Sequence, residues 1–112
     1  MRILLFVVIL VHGLIHLMGF AKAFEFAELG QLRESISRPI GLLWLACSLA
    51  FFAAGGLYLS RATSWWWIAL PAVALSQTLI IMTWGDAKFG TVANLIVVAV
   101  AIAAAVNPRL YQ

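Results

Sequence analysis

The sequence predicts an all-α integral membrane protein: a four-helix bundle with a short amphipathic interfacial segment between helices 1 and 2. Of its 112 residues, 65% are hydrophobic and 10% are charged, and the mean hydropathy is +1.08. Soluble domains have roughly 45–50% apolar and about 25% charged residues. The apolar residues fall into four runs, and a membrane-spanning helix needs about 20 residues. Four spans therefore account for most of a single domain, residues 1–112.

This composition excludes a soluble enzyme, a disordered tail and a disulfide scaffold. The net charge is +3, but the seven basic residues are scattered along the chain. We interpret them as loop charges beside membrane spans, not as a nucleic-acid site. Cys47 is the only cysteine and has no partner for an intrachain disulfide. The partners we expect are the lipid bilayer and, by self-association or in a larger membrane complex, other membrane proteins.

The first two spans are predicted at about residues 3–21 and 39–59. The first resembles a signal peptide, because Ala21, Lys22 and Ala23 have the form of a cleavage site. Its apolar stretch is longer than the usual 7–15 residues of a signal core and contains two histidines, so we predict a retained span. The second follows Ser37, a suitable N-cap, and Pro39 suits the first turn of a helix.

Residues 22–38 differ from the spans because they mix charged side chains with Phe, Leu and Ile. Leu29, Leu32 and Ile36 share one face of a helix, whereas Gly30 weakens that helix. The pattern is typical of an amphipathic segment lying at the membrane interface. A plain polar loop is the alternative.

The third and fourth spans are predicted at about 65–84 and 88–106. Tryptophans at 65–67 and at Trp84 bracket the third span, as expected of indoles at the two membrane faces. Pro71 predicts a kink in this helix. Asn107 and Pro108 end the fourth span.

An even number of spans places both termini on the same side of the membrane. That side has three basic residues and no acids, whereas the other has four basic residues and all four acids. Counting Lys and Arg alone gives nearly a tie. Because Arg2 and Arg61 are unneutralised and close to span ends, we predict that both termini are cytoplasmic.

His12 and His16 are the main functional candidates. They lie four residues apart and project from one face of the first helix, and ionisable residues inside a membrane are functional candidates by default. Four interpretations remain open: a metal site, haem ligands in a dimer, proton-handling groups, and hydrogen-bonded contacts between helices. The last of these would use one of three partners: Gln77, Ser76 or Ser48.

A second candidate segment is residues 84–94, WGDAKFGTVAN. Asp86 is suited to cap the fourth helix, and Lys88 is suited to pair with Glu25 or Glu28. Asn94 lies inside the span and needs a polar partner. One interpretation is a capped turn with an interfacial ion pair. The other is a polar pocket built from the side chains His12, His16, Asp86, Lys88, Asn94 and Gln77.

The stretch HGLIHLMGFAKAF at residues 12–24, with WGDAKFGTVAN at 84–94, resembles a group of small, uncharacterised bacterial four-span membrane proteins. The resemblance covers nearly the whole chain and implies a four-helix fold in the bacterial inner membrane. It carries no activity. Small multidrug-resistance transporters have a similar length and span number, but the glutamate of their first helix is absent here, where His12 and His16 stand instead.

Three functions follow as hypotheses. The first is a non-catalytic accessory or binding protein with a polar pocket around the two histidines. The second is an oligomeric, proton-coupled small transporter. The third is a membrane enzyme that uses His12, His16 or Asp86 as acid or base on a lipid, quinone or terpenoid. The sequence assigns no cofactor, and any metal site would use His12 and His16.

Overall fold

The computed structural model describes residues 2–24 and 36–107, and in these ranges the chain is helical with no strand. Its helices are α1 (Arg2–Ala23), α2 (Arg38–Leu59), α3 (Trp65–Met82), α4 (Trp84–Ala87) and α5 (Gly90–Val106). α4 is a single turn, so four long helices form the bundle. The prediction of an all-α four-helix bundle is confirmed.

Each long helix packs against its neighbours in chain order, so the bundle runs up and down. α1 packs along α2, α2 along α3 and α3 along α5, and a shorter contact between α5 and α1 completes the bundle. The molecule measures 43 × 22 × 21 Å. At one end the Arg2 guanidinium donates to the carbonyls of Tyr58 and Leu59 at 2.8 and 3.0 Å, which ties the start of α1 to the end of α2.

Local chemistry explains where the helices begin and end. The Ser37 hydroxyl accepts a hydrogen bond from the Ile40 amide, and Pro39 lies in the first turn of α2. The third helix was predicted to reach residue 84 but ends at Met82, because Thr83 leaves the helical conformation at φ −122° and ψ 41°. The separate turn α4 follows, and the last long helix begins only at Gly90.

Three helices, α1, α2 and α3, are long and apolar enough to cross a membrane. α5 is apolar but shorter, with 17 residues, or about 25 Å at 1.5 Å per residue. The amphipathic segment predicted at residues 22–38 falls mostly outside the described residues, as do Glu25 and Glu28.

The core lies on the inner faces of the four long helices, where large apolar side chains such as Ile9, Phe51, Leu79 and Val97 are buried. The outer faces expose large apolar residues, among them Leu14, Ile81 and Ile102. Such surfaces suit lipid as the surrounding solvent. Trp65 was expected at a membrane face, but it is 2% exposed and packs against Tyr58 with ring centroids 5.0 Å apart.

Glycines allow α1 and α2 to approach closely. A Cβ atom on Gly19 would overlap the indole carbons of Trp44, and one on Gly41 would overlap the Cβ of Ala23. Small residues serve this purpose in membrane helices, because association there depends on close van der Waals packing. Gly56 also lies in α2, but it has open space around it. The close packing of α1 against α2 therefore does not require a glycine at that position.

We expect Gly19→Ala to destabilise the bundle and Gly56→Ala not to. Both variants gain roughly 0.5–1 kcal/mol of helix propensity, but at Gly19 the added methyl group meets a buried indole, and overpacking costs typically 1–3 kcal/mol. Thermal unfolding of the purified proteins in detergent, followed by circular dichroism, should give a lower midpoint for Gly19→Ala alone. Equal midpoints would contradict the packing argument.

Candidate functional site: a buried imidazole network beside a cavity

The two histidines lie at the centre of the bundle. His12 is in the middle of α1 and His16 is one turn further on, and both face inward because residues four apart share a helix face. They are 2% and 1% exposed. α3 contributes Ser76 and α5 contributes Asn94 to the same place, and these side chains are 0% and 2% exposed.

Short hydrogen bonds join these four residues. His12 Nε2 lies 2.8 Å from Asn94 Oδ1 and 3.3 Å from Ser76 Oγ. His16 Nε2 lies 2.8 Å from Ser76 Oγ, and His16 Nδ1 lies 2.8 Å from the carbonyl oxygen of His12. The Asn94 amide nitrogen donates to Ser76 Oγ at 3.0 Å. The network therefore connects three helices, α1, α3 and α5.

The network extends to the half-buried side chain of Gln77. The Asn94 amide donates its second hydrogen to Gln77 Oε1 at 3.1 Å, and Gln77 Nε2 donates to Thr91 Oγ1 at 3.1 Å. Both hydrogens of the Asn94 amide are then used. This branch links α3 to α5 a second time, one helical turn nearer the start of α5.

The geometry fixes the direction of each bond when both imidazoles are neutral. A carbonyl oxygen only accepts, so His16 must carry its proton on Nδ1. Its Nε2 then accepts from the Ser76 hydroxyl, whose oxygen accepts from Asn94. Asn94 Oδ1 accepts from His12, so His12 carries its proton on Nε2 and its Nδ1 is left as an acceptor.

Aromatic rings surround the imidazoles on the side of α2. The ring centroids of His12 and Phe51 are 4.8 Å apart, and those of His16 and Trp44 are 5.0 Å apart. Ser48 is also buried, but its hydroxyl donates to the carbonyl of Gly13 at 2.7 Å and not to an imidazole. Its role here is to join α2 to α1.

A cavity of about 400 Å³ adjoins the network. His12, His16 and Trp44 line it together with apolar or small residues from the end of α1, the end of α3, α4 and the start of α5. Ligand pockets commonly have volumes of about 300–1,000 Å³, with mostly apolar walls and few polar groups. This cavity has that character.

Gly90 brings the backbone of α5 close to the cavity. A methyl group on Gly90 would come within 2.8 Å of Ile80 Cδ1 and 3.4 Å of His12 Cε1. At the rim, Ile15 and Phe89 are exposed, Phe89 by 78%. The cavity thus has apolar side chains at its mouth and imidazoles inside.

The structure brings together four of the residues predicted for binding: His12, His16, Gln77 and Asn94. Lys88 is not among them. It is exposed, and its ammonium nitrogen lies 5.4 Å from the ring centroid of Phe89. The side chain of Asp86 lies outside the described part of the structure, so its predicted role stays a prediction.

The metal interpretation gains no further ligand in the described residues, where no group of three or more His, Cys, Asp or Glu side chains could hold an ion. Both Nε2 atoms of the imidazoles already take part in hydrogen bonds. The arrangement matches the interpretation of hydrogen-bonded contacts between helices, with an added cavity.

Sequence reasoning assigned no role to three residues of this site: Trp44, Gly90 and Thr91, although the candidate segment 84–94 contains the last two. Trp44 carried a usable signal. The other four tryptophans lie at predicted span ends, whereas Trp44 lies well inside the second span, where an indole N–H needs a partner. Gly90 and Thr91 carried no comparable signal, because both were part of a predicted loop or helix start.

Comparisons with protein-family models, with curated proteins and with solved structures gave no match. The resemblance to small bacterial four-span membrane proteins therefore stays a prediction, and function has to be argued from the site itself.

The two histidines should be neutral tautomers of opposite kind. We expect the proton of His16 on Nδ1 and that of His12 on Nε2, because the first faces a carbonyl and the second faces Asn94 Oδ1. Long-range ¹H–¹⁵N correlation spectra of the ¹⁵N-histidine-labelled protein distinguish the two tautomers. Two identical patterns, or exchange-averaged rings, would contradict the network described above.

Proposed function

We propose that this protein is a non-catalytic membrane binding protein that holds a lipid-soluble small molecule in the cavity beside His12 and His16. The observation that carries the proposal is the position of the two imidazoles, which line an otherwise mostly apolar cavity. A purely structural histidine pair would be satisfied by its network and would need no cavity next to it.

The surroundings of the cavity support a ligand that arrives from the lipid. Ile15 and Phe89 at the rim are exposed on the outer surface of an apolar bundle. α1 also contacts α5 over a shorter length than it contacts α2. A molecule dissolved in the bilayer would therefore meet an apolar mouth before it reached a polar group.

Filling the cavity should remove the ligand without unfolding the protein. Ala93 lines the cavity and is half-buried, whereas Ala99 lies on the same helix and is exposed. We expect protein purified in mild detergent to retain a lipid-soluble molecule, detected by mass spectrometry of the organic extract. Ala93→Phe should lose most of it and Ala99→Phe should retain it.

Retention of the same molecules by Ala93→Phe at the wild-type ratio would contradict the proposed site. The proposed site would also be contradicted if the extract contained only bulk membrane lipids, in the same proportions as in the membrane. Circular dichroism of both variants controls for folding.

A second candidate function is proton-coupled transport, and Ser76 is the observation that favours it. Its hydroxyl oxygen lies 2.8 Å from Nε2 of His16 and 3.3 Å from Nε2 of His12. A hydroxyl between two imidazoles has the geometry of a proton relay. The enzyme hypothesis, by contrast, uses His12, His16 or Asp86 as acid or base, and both nitrogens of His16 are engaged in hydrogen bonds.

The transport candidate predicts proton uptake into proteoliposomes. With an imposed membrane potential and a trapped pH-sensitive dye, wild-type protein should acidify the lumen. Ser76→Ala should abolish the uptake, because it removes the hydroxyl between the imidazoles. Thr78→Val is the matched control, since the Thr78 hydroxyl is exposed and bonds only to the Ala74 carbonyl of its own helix. Absence of uptake by the wild type would contradict a proton relay through Ser76.

We further propose a location in a bacterial inner membrane with both termini cytoplasmic, where the protein self-associates or joins a larger complex. The resemblance of residues 12–24 and 84–94 supports the location. Arg2 and Arg61 near one end of the bundle support the orientation, by the excess of basic residues in cytoplasmic loops. Accessibility of a tag at Met1 from the outside would contradict it.

A further inference from the structure

We propose that the head group of the bound molecule is an uncharged oxygen function, and that the indole N–H of Trp44 donates a hydrogen bond to it. This inference rests on the proposed binding function and names the chemical class of its ligand. The class is a neutral amphiphile, with an apolar body and a hydroxyl or carbonyl oxygen.

The first step is the state of Trp44. This side chain lines the cavity and is 4% exposed. Its Nε1 is the only fully buried side-chain nitrogen or oxygen in the described residues that lacks a hydrogen-bond partner. An unpaired buried donor costs about 1–3 kcal/mol, and native proteins rarely leave one without a reason.

The second step is the lack of a partner for that donor among the described residues. Gly19 packs against the indole through Cγ, Cδ2 and Cε3, all carbon atoms. The adjoining imidazole of His16 has both nitrogens engaged, Nδ1 with the His12 carbonyl and Nε2 with Ser76. The closest polar ring therefore does not supply an acceptor for the indole.

The third step is an open hydrogen-bond acceptor on the imidazole of His12. His12 donates through Nε2 to Asn94, so Nδ1 of the neutral ring is an acceptor, and the described residues give it no hydrogen bond. The ring centroids of His12 and His16 are 4.6 Å apart, and those of His16 and Trp44 are 5.0 Å apart. One donor and one acceptor thus belong to the two rings of the cavity wall that flank His16.

The fourth step is charge. The described residues that line the cavity include no Asp, Glu, Lys or Arg. An ion placed among these described residues would lose its hydration without gaining a counter-charge from them, at a cost of several kcal/mol. An uncharged oxygen loses far less and satisfies the indole donor, which is why the site favours a neutral head group.

The test uses four mono-unsaturated C18 chains, three with different head groups and one with none. Tritiated oleyl alcohol is the probe, added to the purified, delipidated protein in a neutral detergent. The unlabelled competitors are oleyl alcohol, 1-octadecene, oleyl sulfate and oleyltrimethylammonium. We expect saturable retention that oleyl alcohol displaces, and displacement that is weaker by about tenfold or more for the charged and headless chains.

Trp44→Phe isolates the indole donor, because it keeps an aromatic ring and removes the N–H. Loss of one neutral hydrogen bond should weaken oleyl alcohol binding roughly 3- to 10-fold. Trp67 is exposed and lies near the start of α3, whereas the cavity lies at the end of that helix. Trp67→Phe should therefore bind oleyl alcohol like the wild type. If Trp44→Phe fails to fold, the indole ¹⁵N–¹H signal of Trp44 in the wild type must shift on addition of oleyl alcohol.

The outcomes separate this inference from the proposed function. Equal displacement by oleyl sulfate or oleyltrimethylammonium, unchanged binding by Trp44→Phe, or an unshifted Trp44 signal would overturn the neutral head group held by Trp44. Failure of all four chains to bind would do the same. In each case the proposed function still stands if Ala93→Phe loses the molecule retained by the wild type, and it falls only if that loss is not seen.

Discussion

The bundle depends on satisfying two imidazoles where water is scarce. In hydrocarbon an unpaired polar group costs several kcal/mol, so buried polar side chains must find partners within the protein. His12 and His16 on α1 find theirs in Ser76 of α3, Asn94 of α5 and a backbone carbonyl. These bonds fix which faces of three helices turn inward. The close glycine contacts between α1 and α2 fix the rotation of that pair further.

Close packing of α1 against α2 makes this network possible. Gly19 allows Trp44 to lie against α1, and Gly13 offers its carbonyl to Ser48. Gly90 brings the start of α5 up to His12 in the same way. Gly13, Gly19 and Gly90 thus lie where a helix backbone approaches an aromatic or imidazole ring. Small residues without such a neighbour, such as Gly56, have no comparable role.

Much of the fold followed from the sequence. Hydropathy and helix periodicity reflect the need of a bundle in hydrocarbon to expose apolar side chains and to turn polar ones inward. The inward pair His12 and His16 followed from spacing, and Asn94 and Gln77 from the need of polar side chains for partners. Thr83 did not follow, since a break of one residue inside an apolar run leaves no pattern. Trp44 could have been found from its position inside the second span, whereas the charge of Lys88 gives no sign that its side chain is exposed and absent from the cavity lining.

The arrangement of donors and acceptors among the described residues is consistent with the proposed binding function. Within the network each hydroxyl and amide has a fixed direction, and His16 has no free nitrogen in the described structure. An acid–base catalyst needs an imidazole nitrogen that reaches substrate, and only Nδ1 of His12 fits that description. Among the described residues, the other open group is a donor, the indole N–H of Trp44. Under the proposed binding function, one open acceptor, one open donor and mostly apolar walls among the described residues are suited to orient a neutral molecule, because they offer hydrogen bonds to an oxygen without a charge.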